Sequence, residues 1–266
     1  MRKQLGSVFP TIVLVLLFCT GNHALAQRAA GETADIDPLF LVDTPIAGIL
    51  PTTSGSIDVT LYPEGGLLAC FVYGVRKNLN VGLSFGATQF IGSGHITWNN
   101  LPGLMIRYRV FEETPVFPAV VGGFDSQGRD GYILADHQYA VKSPGFFLTF
   151  SKNYASFLGL LSFHGGINYT LERHAIETND RDMSPNLFLG MEKTIGPIVS
   201  VISEYNFAFD NDREAKGFWN GNLNLGVRIA TKIGFNIDLL LKNLLTSNPY
   251  FMNPIRELKV QYVRYL

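Results

Sequence analysis

The sequence is poor in charge: 16% of its 266 residues are Asp, Glu, Lys or Arg, against 47% hydrophobic residues. That balance is unusually apolar for a water-soluble domain. The formal net charge of −1 offers neither a basic surface nor an acidic tail, so nucleic acid is set aside as a partner. Cysteine is almost missing, with Cys19 and Cys70 alone. Past the N-terminal region, no apolar run reaches the roughly 20 residues that a membrane helix needs. GxGxxG, Walker and CxxC patterns are absent, as is any internal repeat. No cofactor is expected.

What is present begins with an address. Arg2 and Lys3 precede the apolar run IVLVLLF at 12 to 18, and Ala24-Leu25-Ala26 follows as an A-x-A cleavage signal. This pattern predicts a signal peptide over residues 1 to 26. A lipoprotein signal ending at Cys19 is the rival, and the bulky Phe18 before it argues against that processing. Export then leaves Cys70 as the single cysteine, a small hydrophobe rather than half of a disulfide. Residues 27 to 52 read as a periplasmic leader. Within them DTPIAGILP, 43 to 51, carries two prolines. Two readings stand for it: a cap entering the periplasmic mouth of a barrel, or an unordered lead-in to the first strand.

The segment LSFHGGINYTLE, 161 to 172, spaces His164, Asn168 and Glu172 four apart. A helical face could explain that spacing. However, Leu161, Phe163, Ile167, Tyr169 and Leu171 take the odd positions and polar residues most of the even ones, which is the period of a strand. The Gly165-Gly166 pair would also cost a helix roughly 2 kcal/mol relative to alanines.

Similar alternation recurs along the chain, predicting twelve strands near 55–62, 67–75, 79–90, 103–111, 117–124, 145–154, 158–172, 186–194, 198–208, 220–230, 234–243 and 256–265. Short links such as VRKN, EETPVF, TIGP and TKIG alternate with long polar excursions such as 125–143 and 173–184. The first hairpin, through Pro63-Glu64-Gly65-Gly66, is the exception. An even strand number with short turns on one side and long loops on the other predicts an all-β fold. It is a single antiparallel transmembrane β-barrel over 53 to 266, with short periplasmic turns and long extracellular loops. A spanning sheet must also close, because an open edge in hydrocarbon leaves backbone groups unpaired at several kcal/mol each. A lipocalin-like barrel or a sandwich would show the same alternation with its apolar face inward. Little charge on the apolar faces favours the membrane reading, as do aromatics near strand ends: Tyr62, Tyr73, Phe90, Trp98, Phe207, Trp219 and Tyr262.

With the apolar faces on lipid, Asp58, Arg107, Arg109, His164, Glu192, Glu204, Arg228, Asp238, Lys242 and Lys259 point into the lumen. These predict a charged belt of balanced sign, either a network of cross-strand ion pairs or a gate touching a passing solute. A lipid-modifying enzyme would need a nucleophile and base in contact. His164 shares its face with Ser162 and Asn168, and neighbours on one face of one strand lie about 7 Å apart. No catalytic residue is assigned. The run DNDRE places Asp210, Asp212 and Glu214 in a loop without the central glycine of a calcium site. His95, His137 and His174 fall in separate loops, and no metal is expected.

The segments DTPIAGILPTTSGSIDVTLYPEGGLLACFVYGV (43–75), IGSG (91–94), GFDSQG (123–128), SKNY (151–154), HGGINYTLE (164–172) and KNLL (242–245) together resemble the YjbH-like family of outer-membrane proteins. The resemblance implies an outer-membrane barrel in a Gram-negative envelope, acting as a passage or accessory in exopolysaccharide export. Its expected partners are outer-membrane lipid, the barrel-assembly machinery and polysaccharide-export components. A structural or adhesion barrel working through its loops stands as the other reading.

Overall fold

A computed structural model describes residues 38–133, 137–172, 184–210, 221–231, 234–245, 248, 250, 251 and 253–265. The predicted signal peptide, Cys19, His174, Asp212, Glu214 and Trp219 lie outside the described residues.

Alternation becomes strand throughout, and the strands close. In chain order they are β1 (Ser54–Tyr62), β2 (Gly66–Arg76), β3 (Leu79–Thr88), β4 (Thr97–Trp98), β5 (Gly103–Phe111), β6 (Ala119–Asp125), β7 (Arg129–Ile133), β8 (Gln138–Val141), β9 (Gly145–Ser156), β10 (Gly159–Tyr169), β11 (Asn186–Ile195), β12 (Val199–Asn206), β13 (Asn222–Ala230), β14 (Phe235–Lys242) and β15 (Ile255–Tyr265). Three of these stand apart from the wall: β4 is a two-residue addition to β3, and β7 and β8 form their own small hairpin. The other twelve make one antiparallel barrel, sealed where β1 pairs with β15 from Ser54↔Tyr265 to Leu61↔Leu258. The predicted count and closure are therefore observed.

Side-chain direction follows the pleat, with inside and outside inverted relative to a soluble barrel. In β3, Val81, Leu83 and Phe85 face outward and Asn80, Gly82, Ser84 and Gly86 inward. In β14, Leu239 and Leu241 face outward, while Asn236, Asp238 and Lys242 are buried. The exposed large side chains on the wall are mostly Leu, Ile, Val and Phe, with Tyr108, Tyr154 and Met191. The buried ones include arginine, lysine and glutamate. Water would reward the opposite arrangement, so the exterior is built for hydrocarbon and the chain is a membrane-spanning β-barrel.

Two aromatics expected at the rim are turned inward. Tyr62 is buried and donates its hydroxyl to the Ala87 carbonyl at 2.8 Å, and Phe207 is likewise buried, against Tyr205 and Phe209. Both sit at strand ends on the lumen side of the pleat, so position along the strand did not decide direction. Trp98 does lie outside, stacked on Phe85 at 5.5 Å, and Tyr262 packs on Phe235 at 4.5 Å. The excursion at 125–143, read as a polar loop, contains the β7–β8 hairpin with Gln138, Tyr139 and Ala140 buried.

Leu239 sits in the middle of β14 with 52% of its surface exposed. Replacing it with arginine puts a charge into hydrocarbon and should cost about 2–4 kcal/mol at the midplane. Equilibrium refolding into lipid vesicles measures this, and a variant as stable as the parent would show that this face meets water.

Candidate functional site

The lumen is not empty. Residues 38 to 50 lie inside it, every one of them buried. Leu41 N–H donates to Thr44 O at 3.0 Å and Ile46 N–H to Leu39 O at 3.1 Å, with a bridge between Phe40 and Pro45, so the segment is a small hairpin with Val42 and Asp43 at its tip. Its apolar side chains form three clusters against the wall, Ala47 meeting Ala119, Val121 and Phe147 in one. Leu39, Phe40 and Leu50 meet Val72, Met105 and Val263; Leu41, Val42 and Ile46 meet Ile202 and Leu240. Small wall residues make the room. A Cβ on Gly190 would stand 2.2 Å from Leu41 Cδ2, and one on Gly74 2.0 Å from the Pro51 carbonyl oxygen where the segment leaves the lumen.

A strand-like segment without a neighbouring strand must find other partners for its backbone. The charged belt supplies them. Glu204 Oε2 accepts the N–H groups of Val42, Asp43 and Thr44 at 3.0, 3.0 and 2.9 Å, and the Thr44 hydroxyl at 2.8 Å. Arg228 Nη2 donates to the carbonyls of Phe40 and Leu41 at 3.1 and 2.9 Å. Arg107 donates to Ile46 O and Gly48 O, and Arg109 to Ala47 O at 2.8 Å. Thr149 donates to Pro45 O, Ser151 Oγ accepts from Ala47 N–H, and the Asn80 amide pairs with both backbone groups of Leu50. From Leu41 to Ala47 every backbone N–H is satisfied, proline at 45 having none to offer.

The belt also braces itself. Arg228 lies between Asp238, at 2.9 Å from two of its nitrogens, and Glu192 at 3.1 Å. Lys242 Nζ binds Asp43 of the hairpin at 2.9 Å, Glu257 of β15 at 2.8 Å, and Asp130 of the outer hairpin. Lys259 lies 5.3 Å from the Phe40 ring centre, and Asp58 is buried opposite Gln261. Of the predicted belt, Arg107, Arg109, Glu204, Arg228 and Lys242 thus meet the hairpin directly, together with the Lys259 cation. Glu192 and Asp238 act through Arg228. Cross-strand ion pairing joins Arg228 to Asp238, whereas in the β12–β13 register Glu204 stands opposite Asn224 and Arg228 opposite Ser200.

Five charged residues at this site escaped sequence reading: Asp43, Asp125, Arg129, Asp130 and Glu257. Glu257 shares its pleat parity with Lys259, so alternation held that signal. Asp43 lay in a segment whose position was left open. Arg129 and Asp130 were read as solvated loop, whereas Arg129 packs 4.7 Å from the Phe40 ring centre and pairs with Asp125 at 3.5 Å.

The trio His164, Asn168 and Glu172 disperses. His164 Nδ1 lies 2.8 Å from Ser151 Oγ across the β9–β10 ladder, Asn168 donates to Pro144 O, and Glu172 accepts the N–H groups of Tyr139 and Ser143. Burial holds the Glu172 carboxyl above its usual range against the pull of those bonds. The Ser151–His164 contact was not expected from same-strand spacing, since Ser151 is on the next strand. Both side chains are buried, and Ser151 Oγ is occupied by the hairpin. Asp210 gives its carbonyl to Lys142. Among the described residues no group of acidic, His or Cys side chains is arranged to hold a metal.

Comparison with known proteins adds fold likeness alone. No family model and no curated protein matches the chain. A solved structure titled as the NanC porin in a rhombohedral crystal form has 8% identity and a TM-score of 0.40, covering 80% of this chain and 99% of its own. Another, from work on in-meso crystallisation of membrane proteins, has 14% identity and a TM-score of 0.37, covering 79% of this chain and 83% of its own. Both scores are low, and the functional reading rests on the surfaces of this chain.

Arg228→Ala would leave Glu192, Asp238 and two hairpin carbonyls facing a void. Removing one partner of a buried ionic group typically costs about 3–5 kcal/mol. Arg228→Met combined with Glu192→Gln and Asp238→Asn should recover part of that loss. Unfolding midpoints in urea compare the two variants, and equal destabilisation would show that the unpaired carboxylates are not the source of the loss.

Proposed function

We propose that this chain is an outer-membrane barrel that works as a gated passage, or an accessory to one, for envelope traffic. Its cargo on this reading is an exopolysaccharide, as the YjbH-like resemblance implies. The observation that carries it is the hairpin at 38–50, held in the lumen by side chains on the wall. An eight-stranded barrel is filled by its own side chains and a sixteen-stranded one holds a water channel. Twelve strands leave space that this barrel fills with a separate segment tied by polar side chains.

The attachment also supports gating. Every polar tie between hairpin and wall is a hydrogen bond or ion pair, and each can be exchanged for water or solute groups. Outer-membrane lipid, the barrel-assembly machinery and export components are its proposed partners. A non-enzymatic role agrees with the position of Ser151 and His164 beneath the hairpin.

Wild-type protein should conduct poorly in planar bilayers. Gly190→Leu drives a side chain into the space of Leu41 and should give a steady conductance, while the heat-modified gel shift of a folded barrel persists. A wild-type barrel that is already open, or a folded Gly190→Leu variant that stays closed, would remove the gate from the reading.

A further inference from the structure

The two arginine sites of the lumen are finished differently. Arg228 meets two carboxylates and two hairpin carbonyls. Arg107, with 0% of its surface exposed, has no ion pair among the described residues, and its Nε and Nη1 have no hydrogen-bond partner. Its acceptors are the neutral carbonyls of Ile46 and Gly48, both in the hairpin. The carboxylate on the neighbouring strand, Asp125, is engaged by Arg129 and the Gln127 N–H. Two rings flank the guanidinium, Phe40 at 5.4 Å and Phe147 at 5.3 Å. Two residues along the same face, Arg109 gives a further donor to Ala47 O.

A buried guanidinium with spare donors is a strong site for a planar anion, because the fork of N–H groups matches both carboxylate oxygens and the bonds are charge-assisted. Carbonyl oxygens are weaker acceptors than a carboxylate. The geometry points to Arg107 and Arg109 as a binding subsite for the carboxylate of an acidic sugar, occupied in the closed barrel by the carbonyls of residues 46 to 48. An arriving carboxylate takes both donors in place of those carbonyls, and the Phe147 ring of the wall offers an apolar face to the sugar. The hairpin loses the arginine ties to its descending arm, leaving there those to Thr149, Ser151 and Asn80, and is released. The inference rests on the gated-passage reading and names the chemistry that opens the gate. Its energetic basis is differential affinity: the anion binds the open state, where the hairpin carbonyls no longer occupy Arg107, and so draws the barrel toward it.

The test uses full-length protein in planar bilayers with sodium glucuronate, glucose, and sodium chloride at matched ionic strength. Glucuronate should raise the open fraction, and glucose and chloride should not. Arg107→Gln should raise the glucuronate concentration for half-maximal opening by about tenfold or more, with an unchanged heat-modified gel shift. Arg107→Lys keeps a charge without the planar fork; should Arg107→Gln fail to fold, a tenfold loss in this variant reports the same point. Equal opening by glucuronate and glucose, or a glucuronate response that survives both substitutions, overturns the subsite. The Gly190→Leu barrel separates the two readings. If it conducts while glucuronate acts on wild type no better than glucose, the subsite falls and the gate stands; if it stays closed, the gate itself has failed.

Discussion

The structure depends on one requirement: a backbone segment placed inside a barrel, with no adjacent strand, must have its amides and carbonyls satisfied by something. Here side chains on the wall do it, and one carboxylate, Glu204, gathers three consecutive N–H groups at the hairpin tip. Hydrogen bonds to a charged group contribute about 1.5–3 kcal/mol each, more than neutral ones. An unsatisfied buried amide would cost a similar amount in the other direction. The wall therefore has to carry long, ionised side chains pointing inward, and the outer face has to be apolar to hold those strands in lipid. Both sides of the pleat answer to the same requirement.

Burying so many charges is costly unless each is paired. The barrel meets this by sharing partners. Arg228 serves two wall carboxylates and two hairpin carbonyls with one guanidinium, using the fixed fork that lysine lacks. Lys242 uses its three donors as a junction: Asp43 belongs to the hairpin, Asp130 to the outer β7–β8 hairpin, and Glu257 to the wall. That junction ties the inner segment to the outer loop, since losing Asp43 would leave Lys242 facing two carboxylates in a changed field.

Much of this was legible in the sequence, and the limits are physical. Period-two alternation located every barrel strand, because lipid and lumen impose opposite polarities on adjacent residues, and it assigned Glu192, Glu204, Arg228, Asp238 and Lys242 to the interior. What alternation does not carry is the partner of an inward side chain. Glu204 and Arg228 carry opposite charge on adjacent strands, yet the register sets them against Asn224 and Ser200, and the hairpin takes both. Nor does alternation reach residues outside strands. DTPIAGILP has no period to read, so its prolines spoke for irregular backbone without saying where that backbone lay. Its place was recorded only indirectly, in the glycines at 74 and 190 that clear space for it.

The manner of holding matters for what the barrel can do. A wall strand is bound by a continuous ladder and leaves only when the barrel unfolds. The hairpin is bound by side chains reaching to its backbone, and each contact is an acceptor or donor that a polar solute also offers. Its apolar contacts with Val72, Met105, Ile202 and Leu240 keep it in place while those polar contacts exchange. On the gated reading, release breaks only contacts of the second kind, since Arg107, Glu204 and Arg228 are carried on strands whose ladders run to their wall neighbours and not to the hairpin. A ladder-bonded wall around a segment held by side chains gives the barrel two kinds of attachment, and the proposed gate draws on the second alone.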